Sequence, residues 1–269
     1  MDRIQKALEK AKAKHAEVDS FSSSIVKDSP TILTFDNISY RQTKVDPVSS
    51  EYLEKNRVIA GFYNNPQSAV FRMLRTRVLQ KMRSENWQSL AITSPTASEG
   101  KSLISSNLAV AIAMELNQTV LLVDMDLRNP TIASYFDLSP KVGIKDYLEG
   151  DIPLSSVLIN PGIKRLVVLP GLGRSEDSAE LVSSPRMASL ISDIKSQYDS
   201  RIIIFDLPPI LQTDDVLLSS GYIDSTLLVL EDGKNSEPDI KKSLQLLEGC
   251  HLMGTVLNKS ENPPTHQAY

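Results

Sequence analysis

With 269 residues, 41% hydrophobic and 23% charged, the chain has a globular composition and the length for a sizeable core, which excludes collagen-like, small disulfide-stapled and wholly disordered proteins. A formal charge of -4 argues against broad electrostatic binding of nucleic acid, so no nucleic-acid partner is expected. The single cysteine, Cys250, excludes an intramolecular disulfide and a cysteine-built zinc cluster, and it fits a small packing residue.

The start of the chain, residues 1–6, lacks the apolar stretch of a secretory signal. The longest purely apolar run, 108–114, is far below the roughly 18 residues that span a bilayer, so a cytoplasmic location is expected. Ile4, Ala7, Leu8, Ala11 and Val18 fall mostly on one helical face with lysines between them, which predicts an amphipathic helix over 1–18. Residues 19–66, with Ser22-Ser23-Ser24, Pro30, Pro47 and Pro66, read as a linker that is partly disordered. The next segment carries Arg72, Arg75, Arg77, Lys81 and Arg83 on a helical pattern whose apolar side is Val70, Phe71, Leu74 and Val78. That basic face is ordinarily a solvated surface; its functional alternative is a contact for an acidic partner or a neighbouring subunit.

After Trp87 short β-rich runs alternate with longer helical patterns, the signature of a parallel α/β sheet. Strands are expected at 89–93, 120–124, 166–169, 201–206, 225–230 and 254–257, and helices at 101–116, 185–198, 214–219 and 236–247. Ligands in such sheets gather beyond the carboxyl ends of the strands. Between the first strand and its helix lies Thr93-Ser94-Pro95-Thr96-Ala97-Ser98-Glu99-Gly100-Lys101-Ser102, which has the form of a phosphate-binding P-loop. Backbone amides and the positive end of the helix can surround a phosphate, and Gly100 permits close approach. Lys101 would reach the β and γ phosphates and Ser102 Oγ would ligate Mg²⁺. Pro95 occupies the place of the first glycine of the general pattern, so a chance Gly-Lys-Ser turn is the plain alternative for the loop taken alone. Two further strands end in carboxylates, Val123-Asp124-Met125-Asp126-Leu127-Arg128-Asn129-Pro130 and Phe205-Asp206-Leu207-Pro208-Pro209. One such Asp is usually a turn former; three downstream of one phosphate loop suit a bound divalent ion. Asp124 and Asp126, two apart, face the same way if the strand extends that far.

These segments resemble the cytoplasmic catalytic domain of bacterial tyrosine kinases, the P-loop type that governs capsular and exopolysaccharide synthesis, over roughly residues 69–260. The carriers are Glu99-Gly100-Lys101-Ser102, an Asp124-x-Asp126-x-Arg128-x-Pro130 segment like the family's Walker A′ motif, and Asp206-x-Pro208-Pro209, like its Walker B. Supporting pieces are Phe71-Arg72-x-Leu74-Arg75-Thr76, Gly143-x-x-Asp146-Tyr147-Leu148-x-Gly150 and Ala179-Glu180-Leu181-Val182-Ser183-Ser184. The opening Arg3-Ile4-x-Lys6-Ala7-Leu8-Glu9-Lys10-Ala11 is similar to the start of stand-alone kinases encoded with exosortase-type polysaccharide loci.

The resemblance implies a P-loop NTPase-type three-layer αβα fold with a mostly parallel sheet, a catalytic domain over 67–260, and an ATP- and Mg²⁺-dependent protein-tyrosine autokinase. Ala97, Ser98, Glu99, Gly100, Lys101 and Ser102 would hold the phosphates and Asn258 the adenine. Ser102, Asp126 and Asp206 would hold the metal, and Lys101, Asp124, Asp126 and Asp206 would form the catalytic set with Asp124 as base. Arg128 would either stabilise transferring charge or pair with a carboxylate, and the structural pair is the expectation. The family's C-terminal tyrosine cluster is reduced here to Tyr269, behind Pro263-Pro264 in a flexible tail, 261–269. Fully extended, that tail spans about 30 Å, enough to reach a neighbour's site. Arg72 and Arg75 are candidate oligomer contacts, but Ala69 stands where the ring-forming motif has a glutamate. A homo-oligomer is implied and a ring is left open. The implied partners are a separate membrane-bound polysaccharide copolymerase that activates the kinase and recruits it to the inner face of the membrane, and a tyrosine phosphatase.

Departures from the family pattern are Ala97-Ser98 in place of Pro-Gly, and acidic Glu231-Asp232 where a basic residue is common. The alternatives are a non-kinase P-loop ATPase switch of the partition or cell-division type and a degenerate nucleotide-binding regulator. The first commonly carries a lysine where this chain has Thr96. His15, His251 and His266 share no ligand-like spacing, Ser178 has no recognisable base partner, and Trp87 is expected to pack.

Overall fold

A computed structural model describes residues 43–196 and 201–261. The expected helix over 1–18, the linker as far as 42 and the tail with Tyr269 lie outside the described residues. Eight strands form one sheet: β1 (Lys44–Val45), β2 (Ser89–Thr93), β3 (Thr119–Asp124), β4 (Ile159–Asn160), β5 (Leu166–Leu169), β6 (Arg201–Asp206), β7 (Ser225–Glu231) and β8 (Leu252–Asn258). Their order is β1-β4-β5-β3-β6-β2-β7-β8, and every neighbouring pair is parallel except β4 with β5. The helices are α1 (Ser50–Lys55), α2 (Ser68–Glu85), α3 (Lys101–Ala113), α4 (Ile132–Tyr135), α5 (Ile144–Glu149), α6 (Leu154–Val157), α7 (Ser178–Val182), α8 (Pro185–Ser196), α9 (Asp215–Ser219) and α10 (Glu237–Leu246).

The central strands are continuous apolar runs because both faces of the sheet are covered. Successive side chains alternate between two cores. Leu90, Ile92, Val120, Leu122, Ile204 and Leu227 pack with α2 and α3, whereas Ala91, Leu121, Val123, Ile203, Phe205 and Leu228 pack with α8 and α9. The result is the expected three-layer sandwich. Helix α3 is buried over nearly its whole length, and its serines and alanines let it lie close to the sheet. It stops at Ala113, short of the expected 116, because the chain beyond it leaves the core; Leu116 is exposed. Among the described residues no helix is long and apolar enough to cross a membrane.

The linker expectation fails for residues 43–66. This stretch supplies β1 and α1, and it buries Leu53, Val58, Ile59 and Ala60. One side chain of α3 ties it to the core at three backbone groups. Asn107 Oδ1 accepts from the amides of Ile59 and Ala60 at 2.8 and 3.0 Å, and Asn107 Nδ2 donates to the Arg57 carbonyl at 2.9 Å. A turn-rich composition concealed this, because the stabilising partner lies far along the chain.

The strand order sets the site. β3, β6 and β2 are adjacent, so the loop after β2 and the carboxylates ending β6 and β3 stand side by side. In register, Asp206 is opposite Ile92 on one side and Asp124 on the other.

Candidate active site

The loop 94–100 leaves β2 and enters α3 through Gly100, at a left-handed φ of 94°. A Cβ there would lie 2.2 Å from Asn258 Nδ2, so position 100 needs glycine for both conformation and space. Ser98 is also left-handed, at φ 66°. Glu99 is buried inside the loop and ties it together, because its Oε1 accepts from the Thr96 amide at 3.1 Å, Thr96 Oγ1 at 2.5 Å and Asn235 Nδ2 at 2.6 Å.

Lys101, Asp124, Asp126 and Asp206 converge behind the loop. Lys101 Nζ lies 2.7 Å from Asp126 Oδ2 and 3.5 Å from Asp206 Oδ2. Ser102 Oγ donates to Asp206 Oδ2 at 2.6 Å, and Ser105 Oγ donates to Asp206 Oδ1 at 2.9 Å. Asp126 Oδ1 accepts the Asn129 amide at 3.0 Å. β3 ends at Asp124, yet the chain stays extended enough for Asp126 to reach the same site, since the Met125 amide still bonds to the Asp206 carbonyl. Asp124 Oδ2 accepts the amides of Thr131 and Ile132, both at 2.9 Å, while its Oδ1 is buried without a hydrogen-bond partner.

Electrostatics follow from this burial. Desolvation, reinforced by Asp206, pushes the Asp124 carboxyl up to about 8. Desolvation also raises Asp206 above the usual carboxylate range, although Lys101 and the two serine hydroxyls oppose it. For Lys101 burial works against the charge, but Asp206 and Asp126 more than offset it and hold the ammonium above the ordinary lysine range. The four groups therefore form one tightly linked charge cluster at the carboxyl edge of the sheet.

The donor set suits a hard divalent ion, because Ser102 Oγ and the Asp126 and Asp206 carboxylates are all oxygens. Among the described residues no group of three or more His, Cys, Asp or Glu forms a protein-only metal cage. A site that takes a metal together with phosphate oxygens needs none. Asp124 Oδ1 is buried without a hydrogen-bond partner, which leaves it free as an acceptor at the site.

The remaining expectations place as follows. Arg128 pairs with a buried carboxylate, its Nε 3.6 Å from Asp215 Oδ2. Ser178, left without a partner in the sequence, donates to the same Asp215 oxygen at 2.5 Å. Asn258 Nδ2 donates to the Glu99 carbonyl at 2.8 Å, beside the loop. Arg75 turns back on its own chain, 3.0 Å from Glu115, and Arg72 donates to Ser68 Oγ and lies over the Tyr63 ring. Trp87 packs against the core and against His251. Lys234, Asn235 and Lys259, which carry no motif of their own, reach the loop from beyond β7 and β8. Ser105 was within reach, since it lies one helical turn after Lys101.

No protein-family model matches the chain. It is 33% identical over 193 residues to the tyrosine-protein kinase YwqD of Bacillus subtilis, covering 71% of this chain and 80% of that protein. Among solved structures, the kinase domain of the Escherichia coli tyrosine kinase ETK superposes with a TM-score of 0.69 at 31% identity, covering 84% of this chain and 91% of that one. The chimerical protein CapA2B2 superposes with a TM-score of 0.71 at 28% identity, covering 81% of this chain and 94% of that one.

Proposed function

The chain belongs to the bacterial tyrosine-kinase family, and from that premise we propose that it transfers the γ-phosphoryl group of ATP to a tyrosine, with Lys101, Asp124, Asp126 and Asp206 as its catalytic set. The observation that carries the residue assignment is the buried, partnerless Oδ1 of Asp124 beside the Lys101, Asp126 and Asp206 cluster.

The amides of residues 97–102 cradle the triphosphate, and Asn258 stands where it can meet the base. Ser102, Asp126 and Asp206 would hold Mg²⁺, which would supply neutralisation of the phosphate charge. A tyrosine hydroxyl, with a pKa near 10, is a weak nucleophile at neutral pH. In its ionised form Asp124, a stronger base than an ordinary carboxylate because its carboxyl is pushed up to about 8, accepts that proton as the phenolic oxygen bonds to the γ-phosphorus. The bond from that phosphorus to the bridging oxygen breaks, and ADP leaves with the electron pair. Lys101 compensates the negative charge on the transferring group, so catalysis is mostly positioning and neutralisation.

By resemblance, the activity regulates exopolysaccharide or capsule polymerisation and export. A separate membrane-bound copolymerase would activate it, a tyrosine phosphatase would reverse it, and Tyr269 is the first acceptor candidate. Arg72, held by Ser68 Oγ, and Arg75, held by Glu115, remain the oligomer candidates.

The test is incubation of the purified chain with Mg²⁺, γ-labelled ATP and the activator's cytoplasmic segment. Label on tyrosine is expected in the wild type and not in Lys101→Met, and Tyr269→Phe assigns the acceptor. Label that persists in Lys101→Met would remove the mechanism. Tight ATP binding without label would instead support a switch of the partition type.

A further inference from the structure

Three consecutive peptide groups of the phosphate loop are held by side chains from outside it. Lys234 Nζ donates to the Ala97 carbonyl at 2.5 Å, Lys259 Nζ to the Ser98 carbonyl at 2.7 Å, and Asn258 Nδ2 to the Glu99 carbonyl at 2.8 Å. Both lysines are gathered by one carboxylate, since Glu231 Oε2 lies 3.0 Å from Lys259 Nζ and 3.5 Å from Lys234 Nζ. Neither contact is incidental to a flexible surface. The turn carrying Lys234 is fixed by Gly233 at φ 71° and by Asn235 Oδ1, which accepts the Glu231 amide at 2.7 Å. Lys259 occupies a left-handed φ of 57°, which a non-glycine residue adopts only when its surroundings hold it there.

In a trans peptide the carbonyl of one residue and the N–H of the next point in opposite directions. Fixing the carbonyls of Ala97, Ser98 and Glu99 toward the lysines and Asn258 therefore fixes the amides of Ser98, Glu99 and Gly100 toward the other side. Successive amides aimed into one concavity form an anion nest. The anchoring matters more here than in a glycine-rich loop, because Ser98 carries a side chain in a left-handed conformation that glycine would adopt freely.

We propose that Lys234, Lys259 and Asn258, with Glu231 clamping the two lysines, are positioning residues that hold the phosphate loop open to the triphosphate before nucleotide arrives. The proposal rests on the phosphate-loop assignment above and adds to it the source of the loop's order. Glu231, the acid that departs from the family pattern, thus places two cations where that pattern commonly has one. Because the lysine side chains are 38% and 47% exposed, each contact is screened and the combined effect is moderate.

The experiment measures the Kd of two probes, Mg²⁺-ATP and Mg²⁺-tripolyphosphate, for the wild type, Lys234→Met/Lys259→Met and Glu231→Gln, with the Tm of each nucleotide-free protein. In the double variant both Kd values are expected to rise about tenfold, with kcat at saturating nucleotide within about twofold, since bound phosphate then orders the loop itself. Glu231→Gln is expected to move both probes in the same direction by less, and Lys234→Arg/Lys259→Arg to recover most of the affinity. Should the double variant fail to fold, the two single variants carry the same comparison. A rise for ATP with tripolyphosphate unchanged assigns the lysines to the nucleoside and overturns the proposal. So does a lower Tm with both affinities intact. A wild type that binds neither probe overturns the phosphate-loop assignment itself, and this inference with it.

Discussion

Asp124 and Asp206 are register partners on adjacent parallel strands, and both carboxyl groups are fully buried. Side by side at the edge of the sheet, two such groups cannot both ionise freely. Asp206 has two serine hydroxyls and Lys101 to stabilise its charge, whereas Asp124 has two backbone amides on one oxygen and nothing on the other. Of the two, Asp124 therefore holds a proton the more readily in the nucleotide-free protein, and its ionised form is the one that can serve as base.

That asymmetry makes the enzyme less stable as pH rises. The folded-state pKa of Asp124, about 8, lies above the unfolded value, so the folded protein holds a proton that the unfolded chain releases. Stability contributed by this group is present below about pH 4 and lost as pH climbs toward 8, at up to about 1.4 kcal/mol per pH unit. Asp124→Asn keeps an acceptor for the Thr131 and Ile132 amides and removes the titration. Denaturant unfolding of nucleotide-free protein should find Asp124→Asn more stable than wild type at pH 7.5, by a margin that shrinks toward pH 5. A margin independent of pH would contradict the buried-carboxyl account.

Gly100→Ala should abolish nucleotide binding while leaving the fold intact. The added Cβ meets Asn258 Nδ2 at 2.2 Å, and the φ of 94° strains any non-glycine residue by roughly 1–2 kcal/mol. Gly100→Ala with Asn258→Ala removes the clash but keeps the strain and loses the donor to the Glu99 carbonyl, so titration with Mg²⁺-ADP should show only partial recovery.

Asn107→Ala tests the packing of 43–66 against α3. It leaves the amides of Ile59 and Ala60 without their buried acceptor, a loss of about 1–3 kcal/mol. Proteolysis near residues 56–62 should accelerate accordingly, with the rest of the domain protected. An unchanged cleavage rate would show that the apolar contacts of Leu53 and Val58 suffice.

Asp215→Asn should weaken the hold on Arg128, whose Nε depends on that carboxylate. Because Arg128 belongs to the segment carrying Asp124 and Asp126, the expected effect is a fall in kcat of about tenfold, since transition-state contacts need close positioning, with the KM for ATP little changed. A rise in KM with kcat preserved would place Arg128 in ground-state binding instead.

The central strands were legible because each is a buried apolar run between turn signals, and 89–93, 166–169 and 201–206 match the structure end to end. β1 and β4, two residues each, fall below any periodic signal, and α1 was hidden among turn-forming residues. The strand-end carboxylates were visible because the phosphate loop gave them a shared purpose. Asp215 was not, since its partners Ser178 and Arg128 meet it only through the fold. The same holds for Lys234 and Lys259, whose lysines on a polar turn look like ordinary surface until β7 and β8 bring them to the loop.

The most direct measurement is a single-turnover phosphoryl-transfer assay on Asp124→Asn beside the wild type, with Mg²⁺-ATP affinity determined on the same samples. The expected result is affinity within about threefold of wild type and a transfer rate at least about a hundredfold lower, the scale of a lost general base. Transfer by Asp124→Asn at the wild-type rate would contradict the assignment of Asp124 as the proton acceptor.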